Sequence, residues 1–278
     1  MANILKTNIS DSSIDEVDKA IQEILQAKGV IFPTVENWSM LAMPGRDTVT
    51  PLRSTALGVQ TKTEGTALTP AAFTLSGDAI SLNIHQAQVV RLENFAQLQT
   101  GVPNIEGHIA KLLGEAFVQA IESALVTVLV ATSASTPDHQ IAFDTSSTLA
   151  EADILEAMEL LDVQNVPSED RYLLIPPAQH VDLLAVDRFT RADAVGNGNA
   201  IINGVVGYIH GFRVIKSTLM TSNKCVAYHK SHVGIAIQQG MSLMRQPAEL
   251  INFAEDFGAQ MVYGTKTFDS GKRGVLIG

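Results

Sequence analysis

Cysteine, aromatic side chains and positive charge are all scarce in this sequence, and each shortage removes a class of function. A single cysteine, Cys225, among 278 residues rules out an intrachain disulfide and a metal cage built from cysteines. One tryptophan, Trp38, and four tyrosines leave little with which to stack the bases of a single strand. Lys and Arg number 19 against 29 Asp and Glu, a formal charge of −10. That sign opposes sequence-independent binding of nucleic acid, which needs a cationic surplus over the phosphates. No basic-then-apolar leader follows Met1, and the longest apolar run, Ala124–Ala131, is too short to cross a bilayer. The expectation is a soluble chain made in a reducing compartment.

What the sequence does hold is rich in Ala, Val, Leu, Ile and Thr, a composition suited to strand pairing and flat packing. Near the N-terminus, Ile14, Val17, Ile21, Ile24 and Leu25 recur at helical spacing. Ser13 and Glu16 form a capping box ahead of them and Gly29 supplies a stop, so a helix is predicted over 14–28. From Arg46 to about Gln99 the texture becomes Thr-, Val-, Gly- and Pro-rich, alternating at Ile80-Ser81-Leu82-Asn83-Ile84. Its middle, Leu57–Gly77, has few large apolar residues and cannot bury itself. It reads as a two-stranded arm leaving the core, and a lone hairpin in water implies a partner surface.

A long helix follows over 103–132, with Pro103 in its first turn and Ile105, Ile109, Leu112, Ala116, Ala120, Leu125 and Val128 along one face. At 1.5 Å per residue it would run roughly 40 Å, a structural spine. Thr148 with Glu151 forms a second capping box, opening a helix whose Ile154, Leu155, Met158 and Leu161 face a core until Pro167. "RYLLI" is a buried strand, "AQHVDLLAV" a short helix, and "KCVAYH", "VGIAI", "AQMVY" and "GVLI" are strands. The order lacks regular βαβ alternation, which speaks against a doubly wound nucleotide fold.

Five glycines, at 196, 198, 204, 207 and 211, raise the question of a phosphate cradle. The third glycine of a dinucleotide fingerprint is replaced by Ile201, and "VVGYIHGFRVIKS" alternates like two strands about Gly211 where a helix should begin. "GTKTFDSGKRG" is no phosphate loop either, and "GMSLM" around Ser242 lacks the second glycine of a nucleophile elbow. His229 and His232 lie three apart at a strand end, where that spacing sends side chains to opposite faces. Glu106 and His108 sit in the first turn of the spine, where the Glu suits the helix dipole. Glu255-Asp256 reads as solvated or salt-bridged to a neighbour such as Arg245, and Cys225 as a small buried apolar residue. No catalytic, cofactor or metal constellation converges.

Taken in order, these parts resemble a tailed-bacteriophage major capsid protein with the Hong Kong 97-like fold. The block "YLLIPPAQHVDLLAVDRFTRADAVGNGNAIINGVVGYIHGFRVIKS" and the closing "YGTKTFDSGKRGVLIG" are its most specific signals. The resemblance implies an α+β chain with residues 1–47 as an N-terminal arm containing helix 14–28 and 48–90 as an extended hairpin loop. Residues 91–144 would form a peripheral domain with spine helix 103–132, and 145–239 an axial domain. Residues 240–278 would return to the peripheral domain and supply the closing strand. Implied assembly contacts are Ile14, Val17 and Ile21 on the arm, Arg53, Lys62 and Glu64 on the hairpin, and Arg188, Arg191 and Arg245. For the covalent crosslink of one family variant, Lys62 and Asn252 are the candidates. The implied partners are identical subunits in pentamers and hexamers, a separate scaffolding protein, a portal protein, an optional decoration protein and packaged DNA held without specific binding, with no membrane. A first helix beginning so early leaves no room for a built-in scaffold, so no cleavage of the chain is expected. The place of action would be the virion, after assembly in the host bacterial cytoplasm. Rival readings are an encapsulin-like nanocompartment shell, a soluble hydrolase using Ser242 or the His229/His232 pair, and a tail or adaptor protein.

Overall fold

The computed structural model describes residues 29–54, 59–65, 67–68, 75–93, 105–131, 139–144, 147–184, 205–221, 223–247 and 254–278. The predicted helix over 14–28 therefore lies outside the described residues, as do positions 103, 104 and 132 at the ends of the spine. After a short 3₁₀ turn at Phe32–Thr34 comes β1 (Glu36–Asn37). A limb then leaves through β2 (Thr48–Val49) and β3 (Arg53–Ser54) and returns through β4 (Leu75–Ser76) and β5 (Ile80–Ser81). Strand β6 (Ile84–Glu93) precedes helix α1 (Ile105–Val130), followed by β7 (Gln140–Ile141), α2 (Glu151–Val163), β8 (Arg171–Ile175) and α3 (Pro177–Leu184). The rest is strand: β9 (Val205–Ile209), β10 (Phe212–Lys216), β11 (Cys225–His229), β12 (Val233–Pro247), β13 (Ala254–Thr267) and β14 (Gly274–Ile277).

Two sheets share the work of enclosing the core. One has the order β1-β12-β13-β6, the other β7-β14-β11-β8-β10-β9. The second is mixed: β10 runs parallel to β8 and β14 parallel to β7, while β11 is antiparallel to both β8 and β14. Side chains along its strands alternate between two cores, as the two-residue period of a strand requires. On β8, Tyr172 and Leu174 join the core beneath α1, whereas Leu173 and Ile175 join the one beneath α2 and α3. Val226 and Tyr228 against Cys225 and Ala227 repeat the division on β11, and Leu276 against Val275 and Ile277 repeat it on β14. This is why "YLLI" within β8 is an unbroken apolar run: both of its faces are covered.

Helix α1 exists where its periodicity places it, but only part of the expected face is buried: Leu125 is in the core and Ile109 and Val128 pack against it. Ala110, Leu113, Phe117, Ile121, Leu125 and Leu129 point into the core with Ile235, Met261 and Tyr263 of the first sheet. Leu112 is 65% exposed and Ala116 is exposed too. The helix is apolar around most of its circumference, so hydrophobic spacing alone could not choose a side. Gly107–Val130 has a mean hydropathy of 1.6, enough by length and composition to cross a membrane, although no single run within it is, and half of the stretch is buried inside the fold.

Two smaller corrections concern α2. Its N-cap is Ala150, not Thr148, and Asp153 at N3 reaches back to it: its carboxylate accepts from the Ala150 N–H at 2.9 Å and the Asp144 N–H at 3.1 Å. A buried Asp at N3 thereby ties the helix start to the loop before it, which the Thr148 hydroxyl does not do. Leu155 is 38% exposed, so only Ile154 and Leu161 of the expected face are fully buried, with Met158 packed at its edge.

The long antiparallel β12–β13 ladder runs from Val233↔Thr267 to Pro247↔Glu255 and shifts register twice between Ile237 and Ser242. Strand β6 covers the other side of β13 from Ile84↔Tyr263 to Glu93↔Ala254. The boundary expected at 239/240 falls inside β12, and β14 completes the six-stranded sheet beside β11.

Candidate functional site

The limb between Val49 and Ile80 is held to the body at its root. Val49, Ile80 and Leu82 form a small cluster with Ala236 and Phe268, with Trp38 and Ala42 packed against it. The ladders β2–β5 and β3–β4 are two residues each. Strand β5 lies so close over β13 that a Cβ placed on Gly264 would meet the Ser81 carbonyl oxygen at 2.1 Å. Asp78 pins the limb from the other side, its carboxylate accepting from the Asp269 N–H at 2.8 Å. Beyond this root, apolar side chains face outward. Val59 is fully exposed and Leu52 and Leu68 are more than half exposed, as are Met40 and Met43 at the root itself. Single exposed apolar residues are ordinary, but a succession of them along one thin limb and its root marks a surface that another surface covers.

A second attachment fixes the chain just after Gly29. Glu122, on the buried face of α1 and only 6% exposed, accepts from the Ile31 N–H through both carboxylate oxygens at 3.0 Å and from the Phe32 N–H at 2.9 Å. Burial raises its carboxyl above the usual range, opposed by backbone bonds from Phe32, Ile31 and Val30. Two residues on, the Thr34 hydroxyl reaches the Ile31 carbonyl and the Tyr228 hydroxyl, each at 2.6 Å. β1 then pairs with β12 at Glu36↔Gly234 and Asn37↔Ile235. No sequence signal marks Glu122: a lone Glu in a helix reads as surface.

The expected assembly residues fall in different places. Ile14, Val17, Ile21, Arg188, Arg191 and the crosslink candidate Asn252 lie outside the described residues. Arg53 is on β3, paired in register with Ser76. Lys62 and Glu64 are exposed toward the limb's far end. Arg245 is on β12, in an ion pair with Glu255 and over the Phe257 ring at 5.4 Å. Asp256 pairs with Arg91 at 2.7 Å, so the adjacent acids are salt-bridged as expected. The structure brings none of the described candidates into one cluster.

The residues considered for chemistry do not converge either. Ser242 sits beyond the β12 register shift and accepts from the Gln239 side chain. His229 and His232 are separated by a 3₁₀ turn, Lys230–His232, rather than by strand alternation: His229 is half-buried and bonded to Ser231, while His232 is fully buried. Cys225 is fully buried, and burial pushes its thiol far up. Among the described residues no group of three or more His, Cys, Asp or Glu could hold a metal ion. Of the glycine stretch, 196–204 lies outside the described residues. Its end is a hairpin, β9 turning into β10 at His210-Gly211 (φ 46° and 83°), where a phosphate cradle would begin a helix. Three cavities among the described residues, of about 420–430 Å³ each, are open to solvent, and none lines up a nucleophile with a base.

Residues 109–275 match a family model described as phage capsid protein. No curated protein matches the sequence. Among solved structures, the fold is similar to a chain from Mycobacterium phage Che8, with 20% identity, a TM-score of 0.68 and coverage of 90% of this chain and 91% of that one. It is similar to the capsid structure of the cyanophage P-SCSP1u, with 15% identity, a TM-score of 0.69 and coverage of 90% and 88%. It is also similar to a virus-like particle from Pyrococcus furiosus, with 12% identity, a TM-score of 0.59 and coverage of 96% and 99%. At such identities the likeness is one of fold.

Proposed function

This chain belongs to the phage capsid protein family, and on that premise we propose that it is the major capsid protein of a tailed bacteriophage. It self-assembles into an icosahedral shell that encloses packaged double-stranded DNA. The observation that carries this reading is the limb of residues 49–80, rooted by two short ladders and lined beyond them with exposed apolar side chains. A hairpin of that make-up cannot order itself in water and is suited to lying on an identical neighbour, each copy both giving and receiving a limb. In a closed shell such contacts reinforce one another, because each further link joins subunits already held together. The charge of −10 suits a container for DNA, since an inner wall that bound phosphate would impede filling.

In this reading α1 and the sheet β1-β12-β13-β6 form the peripheral domain and the six-stranded sheet with α2 and α3 the axial domain. The loop expected near a capsomer axis, residues 188–203, lies outside the described residues. Pentamers and hexamers of the same chain, a separate scaffolding protein, a portal and an optional decoration protein are its partners. The chain carries a structural role, with assembly in the bacterial cytoplasm. Expression of the chain followed by electron microscopy and size-exclusion chromatography tests this: shells or capsomers support it, and a small compact oligomer sinks it. The likeness to the Pyrococcus particle over nearly both whole chains favours one second reading, a nanocompartment shell holding protein. Nuclease-protected DNA in purified particles, as opposed to a protein cargo, decides between the two.

A further inference from the structure

Glu122 is the feature that core packing does not account for. A carboxylate on the buried face of a helix costs stability unless it is bonded on every side, and an apolar residue would fill the position more cheaply. Here both oxygens are committed to the backbone N–H groups of Ile31 and Phe32, and Glu122 makes no ion pair among the described residues. Nearby charged groups, Lys216 and Glu115, line the adjoining cavity of about 420 Å³ with Val30 and Gln119. The bonded segment opens the described part of the chain: Gly29 and Val30 are half-buried, Ile31 is fully buried, and the attachments through Thr34 and β1 follow directly.

An apolar contact such as that of Ile31 holds a side chain at a depth but leaves the backbone free to turn about it. Two amides donating to one carboxylate remove that freedom, because the peptide planes must face the helix. We propose that Glu122 is the positioning residue of the described chain's start: its carboxylate clip sets the heading of the backbone at Ile31-Phe32, and through it the contact with an identical copy that the shell reading gives to the N-terminal arm. The consequence for assembly rests on the shell reading, whereas the clip itself does not.

The test compares full-length wild type with Glu122→Gln and Glu122→Asp, by amide hydrogen exchange and by particle yield in electron micrographs. In Glu122→Gln the side-chain NH₂ opposes one of the two donors. Exchange at the Ile31 and Phe32 amides is then expected to quicken by about tenfold or more, the loss of one charge-assisted bond. Amides in α1, β12 and β13 stay as protected as in wild type, and well-formed shells become fewer or aberrant. Glu122→Asp, which keeps the charge on a shorter reach, restores part of both. Unchanged exchange at residues 31 and 32 overturns the clip. Faster exchange with wild-type shells in normal yield overturns its positioning role. If Glu122→Gln loses protection throughout, Glu122→Asp is measured against wild type in its place, and the same two results overturn the clip or its role. Wild type that forms no particles sinks the shell reading alone, and exchange still judges the clip.

Discussion

Acid should loosen this protein through one buried imidazole. His232 is fully buried in the turn between β11 and β12, its ring 6.5 Å from that of Tyr228 and so close to Gly274 that a Cβ there would meet Nε2 at 2.6 Å. His139, equally buried, holds the Gly274 carbonyl at 2.8 Å through Nδ1, and the Arg273 guanidinium lies nearby. Burial first, then His139, Arg273 and His229, pull the His232 pKa down from 6.5 to about 3. A base whose folded pKa is depressed binds its proton more readily when unfolded. Its contribution is therefore complete above pH 6.5 and is lost progressively as pH falls from 6.5 toward 3. The slope is about 1.4 kcal/mol per pH unit, so acidification to pH 5 removes roughly 2 kcal/mol through this residue alone. Urea unfolding at pH 7.5 and pH 5.0 measures it, against His232→Phe, which fills the same space without titrating. Wild type should lose about 2 kcal/mol more than the variant between the two pH values. Parallel pH profiles for the two proteins would refute the argument.

Three further outcomes follow from the geometry. Gly264→Ala drives a methyl into the Ser81 carbonyl and should cost about 1–3 kcal/mol or more, with lost exchange protection at Ile80 and Ser81 as its signature. Phe117→Ala empties part of the core under α1 and should cost about 3–5 kcal/mol, whereas Leu112→Ala on the exposed side should stay within about 0.5 kcal/mol; equal effects in thermal melts would mean the helix is turned the other way. Reversing the charge at exposed Lys62 should lower particle yield and heat stability if the limb docks on a neighbour, and particles that melt as wild type would count against that docking.

Local order was far more legible than pairing across the chain. "RYLLI", "GVLI" and the turn at His210-Gly211 carry their own explanation, since an apolar run between breakers or a glycine between two alternating segments has few other uses. The existence and length of α1 were readable for the same reason. Its orientation was readable only in part: Leu125 was placed inside, but Leu112 and Phe117 are equally apolar and only the sheet beneath decides which one it covers. The α2 cap misled because Thr148 and Glu151 have the right spacing, while Asp153 wins by also capturing the Asp144 amide. Glu122 was invisible: its partners are backbone amides about ninety residues away, which leave no mark on any residue type. The limb, by contrast, was visible through what it lacks, the apolar residues needed to bury itself between Leu57 and Gly77.

The lone thiol has a practical consequence. Cys225 is sealed between the six-stranded sheet and the helices over it, and its ionisation is suppressed. A maleimide dye offered to intact particles would therefore find nothing to react with. A second cysteine placed on an exposed position such as Lys62 would then be the sole addressable handle in each copy. Its labelling would decorate a shell at spacings dictated by symmetry, and fluorescence transfer between those dyes would report how far apart neighbouring limbs come to rest.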